Sequence, residues 1–259
     1  MSDSTPLLVA DRITKRFGGL TAVSEFSVSL GEGEIVGVIG PNGAGKTTVF
    51  NLLTGVYAVD SGSIVLNGRN IAGLKPDRVT GCGLARTFQN IRLFRDMSVI
   101  ENVKVGFEAH RSAGLLSTIF RRGGFVQEEN RIEEQAMELL RLLGLADLAD
   151  HLSRNLPYGQ QRKLEIARAL AASPGVLLLD EPAAGMNDSE SEALRRLLIE
   201  LRKRFDLSML VIEHDMPFVM GLAQRLIVLD HGTIIAQGTP KEVRENPAVI
   251  EAYLGHPAT

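Results

Sequence analysis

Residues 40–48 read Gly40-Pro41-Asn42-Gly43-Ala44-Gly45-Lys46-Thr47-Thr48, between an apolar run, Ile35-Val36-Gly37-Val38-Ile39, and a helical pattern, Val49-Phe50-Asn51-Leu52-Leu53. This is G-x4-G-K-T, and its setting asks for a buried strand, a tight loop and then a helix. The glycines let backbone N–H groups close around phosphate oxygens at the positive end of that helix. Lys46 adds a point charge, and Thr47 offers a hydroxyl to Mg²⁺. Each part answers a property of a nucleoside triphosphate, whereas a Gly-rich turn with no ligand needs none of them.

Other short apolar segments, Val176-Leu177-Leu178-Leu179 and Met209-Leu210-Val211-Ile212, read as strands buried on both faces, as in a parallel sheet. Helical patterns separate them. Ile132, Ala136, Leu139, Leu140 and Leu143 share a face of a helix stopped by Gly144. Leu194, Leu197, Leu198, Leu201 and Phe205 do the same after an Asn187-Asp188-Ser189 capping cluster. The sum is α/β. Ile64-Val65-Leu66-Asn67-Gly68 and the segment around Asp230-His231-Gly232 predict two hairpins, hence some antiparallel sheet. From Ile91 to about Leu156 strand signals fade, with a break at Arg121-Arg122-Gly123-Gly124, which predicts a helical lobe inserted into the core. No repeat of solenoid or propeller length is present.

The strand Val176–Leu179 ends in Asp180-Glu181-Pro182, two acids at the edge where ligands of open α/β sheets bind. Alone, such a pair is more often a solvated turn or a helix cap. Beside a phosphate loop, Asp180 suits the Mg²⁺ shell and Glu181 suits the orientation and deprotonation of an attacking water.

Length and charge narrow the classes. At 259 residues the chain makes one large domain or two small lobes, on a scale of about 150 residues per domain. Twenty-eight Lys and Arg against 31 Asp and Glu leave no basic footprint, so nucleic acid is not expected as a partner. The apolar runs fall far short of the roughly 20 residues of a spanning helix. The opening Met1-Ser2-Asp3-Ser4-Thr5-Pro6 lacks the marks of a secretory signal, so export is not expected. Cys82 is the single cysteine; it allows no intramolecular disulfide, fits a reducing compartment and reads as a packing residue.

Three further motifs choose among chains with such a loop. Thr87-Phe88-Gln89-Asn90 follows the first hairpin region, and Leu156-Pro157-Tyr158-Gly159-Gln160-Gln161-Arg162 opens a helix before the Asp180 strand. Val211-Ile212-Glu213-His214-Asp215 lies one helix beyond it. With the Asp180 strand as Walker B between the last two, they resemble in order the Q-loop, signature and H-loop of the ATP-binding subunit of ABC transporters. The resemblance implies a P-loop NTPase (RecA-like) core with an antiparallel β subdomain and an inserted α-helical subdomain. Core segments are expected over 1–91 and 158–259, and the helical subdomain over 92–157.

By position, the resemblance implies that ATP binds with Phe17 on the adenine, a contact an aromatic face makes readily. Gly40, Pro41, Asn42, Gly43, Ala44, Gly45, Lys46, Thr47 and Thr48 would hold the phosphates. Thr47, Gln89 and Asp180 would serve Mg²⁺. Glu181, His214, Gln89 and Lys46 are the expected catalytic set, with His214 donating to developing phosphoryl charge. Tyr158, Gly159 and Gln160 would meet the nucleotide of a second cassette, at a helix N-terminus. This implies a two-fold dimer, of this chain with itself or with a second ABC ATPase. Where the family has L-S-G-G-Q this chain has Leu156-Pro157-Tyr158-Gly159-Gln160, so the serine hydroxyl is missing. Asn187 stands where the D-loop has aspartate.

The stretch Tyr158–Arg168, the run Asp180–Asn187 with Ile212-Glu213-His214-Asp215-Met216, and the tail Gly238-Thr239-Pro240 through Asn246–Gly255 resemble one branch. It comprises the ATPase subunits of branched-chain amino acid importers and their amide or urea relatives. Phe107–Gln127 resembles the longer of two paired subunits. The implied partners are two membrane permeases and, indirectly, a solute-binding protein, at the cytoplasmic face of the inner membrane. The alternatives are a permease-free ABC ATPase and an amide or urea importer. A kinase or GTPase reading lacks an N-K-x-D.

Overall fold

The computed structural model describes residues 6–108 and 124–254. Two compact units emerge: one made of Met1–Gln89 and Gly175–Thr259, the other of Asn90–Pro174.

In the first unit, strand β3 (Ile35–Ile39) runs into helix α1 (Lys46–Leu53). Every residue of β3 is buried, which explains its unbroken apolar run. β3 is flanked in parallel by β8 (Ser208–Ile212) and β9 (Arg225–Asp230). Beyond β8 lie β7 (Val176–Asp180) and β6 (Leu84–Arg86), also parallel. β10 (Thr233–Gly238) closes the other edge as an antiparallel hairpin with β9, so the order is β10-β9-β3-β8-β7-β6. Because β3, β6, β7 and β8 are parallel, the loops after all four open at one edge. Those loops carry the phosphate-loop residues, Gln89, Glu181 and His214.

A second sheet, of order β2-β1-β4-β5, is antiparallel: β1 (Leu8–Phe17), β2 (Leu20–Leu30), β4 (Ser61–Leu66) and β5 (Arg69–Asn70). The hairpin expected at Asn67-Gly68 is the β4–β5 turn, and the one at Asp230-His231-Gly232 is the β9–β10 turn. β1 and β2 were not foreseen. Their pairing shifts register three times, and Arg12 and Glu25 take positive φ, so the alternation of period two is broken. Leu8, Ile13, Phe26, Leu30, Ile64 and Leu66 nonetheless join Val36, Val38, Phe50 and Leu53 in one core. Each fully buried side chain of this size contributes about 1.5–3 kcal/mol. Cys82 is half-buried and packs on this core, as a packing residue should.

The first unit's remaining helices are α2 (Pro76–Gly81), α6 (Asp188–Phe205), α7 (Met216–Leu222), α8 (Pro240–Glu245) and α9 (Pro247–Leu254). Leu194, Leu198 and Leu201 of α6 are buried as expected. Phe205 is not: as the last residue before Asp206 turns left-handed, it ends 40% exposed.

The second unit holds α3 (Val99–Phe107), α4 (Gly124–Leu142) and α5 (Tyr158–Ala171). Ser98 and Glu101 form a capping box on α3, and Gly144, at φ +69°, follows α4 as the sequence predicts. Gly106 of α3 meets α5 so closely that a Cβ would lie 2.3 Å from the Arg168 carbonyl oxygen. That packing makes α5 part of the helical unit, which therefore extends past the expected limit at 157 to Pro174. Of the stretch 107–127 read as a lengthening of the lobe, residues 109–123 lie outside the described residues. Among the described residues no helix is long and apolar enough to cross a membrane.

Candidate active site

The phosphate loop is shaped by its glycines. A Cβ on Gly40 would lie 2.0 Å from the Leu229 carbonyl oxygen, and one on Gly45, at φ +99°, 2.5 Å from that of Ala22. Neither position admits another residue without moving backbone. Lys46 is buried and donates to the carbonyl oxygens of Gly40 at 2.7 Å and Pro41 at 2.9 Å. Burial lowers its pKa, while the carboxylates of Glu181 and Asp180 push it back up.

Asn42, Gly43, Ala44, Gly45, Lys46, Thr47 and Thr48 line a cleft of about 570 Å³ together with Phe17, Gln89 and Glu181. Residues far apart in the sequence thus meet in one place. Phe17 is 44% exposed, not a core residue. Tyr57 packs edge-on against its ring at 5.2 Å, and the Lys15 ammonium lies 5.5 Å from the ring centre. Leu20, Thr21, Ala22, His231 and Gly232 also line the cleft, and sequence reasoning missed them. The only hint was the tight turn at Gly232, whose N–H donates to the Ala44 carbonyl at 3.0 Å.

Glu181 follows β7 with φ +47°, a left-handed conformation that costs a non-glycine residue about 1 kcal/mol or more. The Gln89 side-chain amide donates to Glu181 Oε2 at 2.9 Å, and His214 Nδ1 lies 3.7 Å from the same oxygen. His214 is exposed, not a packed core histidine. Beneath it, the buried carboxylate of Glu213 accepts from the backbone N–H groups of Ala183 (2.8 Å), His214 (3.1 Å) and Asp215 (3.4 Å). Glu213 therefore clasps the turn after Glu181 to the loop of His214. Burial pushes its carboxyl above the usual glutamate range despite these donors.

Asp180 is almost fully buried. Its Oδ2 accepts from Arg86 at 2.7 Å, and its Oδ1 has no hydrogen-bond partner. Breaking a buried ion pair of this kind costs about 3–5 kcal/mol. A lone carboxylate oxygen suits a hard divalent cation. Among the described residues no group of three His, Cys, Asp or Glu could hold a metal alone. A cation here would need phosphate oxygens to complete its shell, as Mg²⁺ bound with a nucleotide does.

In the helical unit, Tyr158, Gly159 and Gln160 form the first turn of α5. Its N-cap is Pro157, and no side chain caps the end, consistent with the missing serine. Gln161 turns back to donate to the Leu156 carbonyl at 2.7 Å. Asn187 acts locally, capping α6 by accepting from the Glu190 N–H at 3.0 Å in a capping box.

A family model described as ABC transporter matches residues 23–184, and one described as branched-chain amino acid ATP-binding cassette transporter matches 233–259. The chain is 47% identical over 252 residues to the high-affinity branched-chain amino acid transport ATP-binding protein LivG of Salmonella typhimurium, covering 97% of this chain and 99% of that one. Its counterpart in Escherichia coli K12 is 45% identical, and BraF of Pseudomonas aeruginosa PAO1 43%, with the same coverage. Among solved structures, the ADP conformation of MJ1267, an ATP-binding cassette of an ABC transporter, superposes with a TM-score of 0.85 at 32% identity, covering 98% of this chain and 100% of that one. A nucleotide-free cassette gives 0.84 at 31%, covering 97% and 100%. From the phosphate loop to the tail the likeness is continuous, and the chain belongs to the ABC transporter family, among the branched-chain amino acid transport ATP-binding proteins.

Proposed function

We propose that this chain is the ATP-hydrolysing subunit of an importer for branched-chain or related hydrophobic amino acids, working through separate membrane permeases. One observation carries the reading: Glu181, held by Gln89 and flanked by His214, faces the phosphate-loop cleft of a chain matched end to end by branched-chain amino acid transport ATP-binding proteins.

The roles follow from the chemistry of each group. Phe17 stacks on the adenine, and the backbone N–H groups from Gly40 to Thr48, Pro41 excepted, take the β- and γ-phosphates with Lys46. Lys46 exchanges its two loop carbonyls for phosphate oxygens. Asp180 and Thr47, with Gln89 nearby, would hold Mg²⁺, which supplies neutralisation of phosphate charge when bound. Glu181 accepts a proton from water as its oxygen attacks the γ-phosphorus and the bond to the ADP oxygen breaks. Gln89 aligns Glu181, and His214 donates to charge growing on the γ-phosphate. Tyr158 and Gly159 offer helix N-terminal amides to the nucleotide of a second cassette, this chain's own copy or a paired ATPase, with Gln160 beside them, its own N–H donating to the Pro157 carbonyl at 3.0 Å. With Pro157 at the cap, that contact rests on backbone N–H groups.

The partners on this reading are two permeases, with a solute-binding protein engaged through them, at the cytoplasmic membrane face. The test is recovery of the tagged chain from solubilised native membranes, with ATPase activity and partners measured on the eluate. Two polytopic permeases are expected to return with it. An active ATPase accompanied only by soluble proteins overturns the reading.

A further inference from the structure

Arg86 ends β6, three residues before Gln89, in a place where a guanidinium is seldom buried: its side chain is 5% exposed. Its nitrogens serve different elements. Nη2 donates to Asp180 Oδ2 at 2.7 Å; Nη1 donates to Asn51 Oδ1 at 2.7 Å and Thr54 Oγ1 at 3.3 Å, on and just beyond the last turn of α1. The rings of Phe50 and Phe88 lie 5.5 and 5.0 Å from its guanidinium carbon. One side chain thus joins β6 to β7 and to the helix that begins with Lys46 and Thr47. The planar fork makes this possible, since an ammonium is a point charge and cannot span both sides with the same geometry.

The arrangement is lopsided in its hydrogen bonds. Arg86 Nε, Thr87 Oγ1 and Asp180 Oδ1 are all buried without a partner. Buried polar atoms are nearly always paired, so a carboxylate with one oxygen held at 2.7 Å and the other buried and bare calls for a physical reason. If Arg86 only glued three elements together, nothing would require the second oxygen of Asp180 to stay bare. A carboxylate held by one oxygen, however, presents the other in a fixed direction, which is what an outer partner does for a metal ligand.

The geometry points to Arg86 as a positioning residue for the divalent cation of the nucleotide site. It fixes Asp180 through Oδ2 so that Oδ1 is presented to the metal, and it registers that oxygen against α1, which carries Lys46 and Thr47. The inference rests on the reading above, in which Mg-ATP occupies the cleft. Arg86 itself touches neither nucleotide nor metal.

The test uses the full chain with Arg86→Gln and Arg86→Lys, and titrates a fluorescent ATP analogue in EDTA and in excess Mg²⁺. Outer-sphere partners typically change metal affinity by 10- to 100-fold, so the gain in affinity on adding Mg²⁺ should shrink by about tenfold or more in Arg86→Gln, with binding in EDTA within about twofold of wild type. Arg86→Lys keeps a charge beside Asp180 but loses the fork, and should fall between. Should Arg86→Gln not fold, the lysine variant carries the test alone. An unchanged Mg²⁺ gain in the folded variant, or an equal loss with and without Mg²⁺, overturns the role of Arg86. A wild-type chain that binds no analogue in either condition overturns instead the nucleotide reading beneath it.

Discussion

Glu181 and Phe17 carry the two most exposed claims at the scale of single residues. Glu181 is held in a left-handed turn with its carboxylate 2.9 Å from the Gln89 amide, so removing its basicity leaves the local geometry in place. Glu181→Gln should keep Mg-ATP binding and lower turnover by about 10² or more, the scale of lost base help. Turnover near the wild-type rate would take Glu181 out of the role. Phe17 is 44% exposed and contributes little to the core, so Phe17→Ala should leave the melting temperature unchanged. Its ATP affinity should weaken by about 1–3 kcal/mol, taking base–aromatic stacking as the scale, and unchanged affinity in a titration would end the stacking assignment. Glu213 matters differently. Its pKa is raised in the folded chain, so the native state holds more protons than the unfolded one. That stability is complete below the unfolded glutamate value of about 4.3 and is lost as pH rises through the folded value. Glu213→Gln should flatten this fall in melting temperature with pH, and an equal slope in both proteins would contradict the assignment.

At the scale of elements, what was legible in the sequence is what local chemistry dictates. The phosphate loop was readable because G-x4-G-K-T between a strand and a helix is what a phosphate cradle requires; the structure adds that a Cβ on Gly40 or Gly45 would meet the Leu229 or Ala22 carbonyl. Gly40→Ala should therefore abolish nucleotide binding and lower the melting temperature by several degrees; binding retained at wild-type affinity would show that the loop relaxes around a Cβ. The cap of α6 was readable for the same kind of reason. Asn187→Ala removes the side-chain half of its box and should cost about 1 kcal/mol in a denaturant titration. β1 and β2 were not legible because their bulges break the alternation that marks a strand, and only pairing across the sheet restores order. The helical unit's end at Pro174 was missed because α5 reads as a continuation of the signature, while its allegiance is decided by Gly106 meeting Arg168. Arg86 escaped notice entirely: a lone arginine before Thr87-Phe88-Gln89 reads as a surface charge until Asp180 and Asn51 are brought to it.

At the scale of the whole molecule, parallel pairing of β6, β7, β8 and β3 does what no motif does alone, delivering Gln89, Glu181, His214 and the phosphate loop to one edge. The tail shared with branched-chain amino acid ATP-binding cassette transporters runs beside the loop: Ala248, Glu251 and Ala252 of α9 line a cleft of about 630 Å³ with Pro41, Asn42, Gly43 and Ala44. On the proposed reading the cargo passes through the permeases and not through this chain, so its identity is decided in the assembled transporter. The most direct measurement is uptake of radiolabelled leucine by proteoliposomes containing the purified chain, the permeases recovered with it and its solute-binding protein. ATP-dependent uptake is expected of the wild-type complex, and none of a complex carrying Glu181→Gln that still binds ATP. Leucine uptake that proceeds equally with the Glu181→Gln chain, or an ATPase-active complex that moves no branched-chain amino acid, would contradict the proposed function.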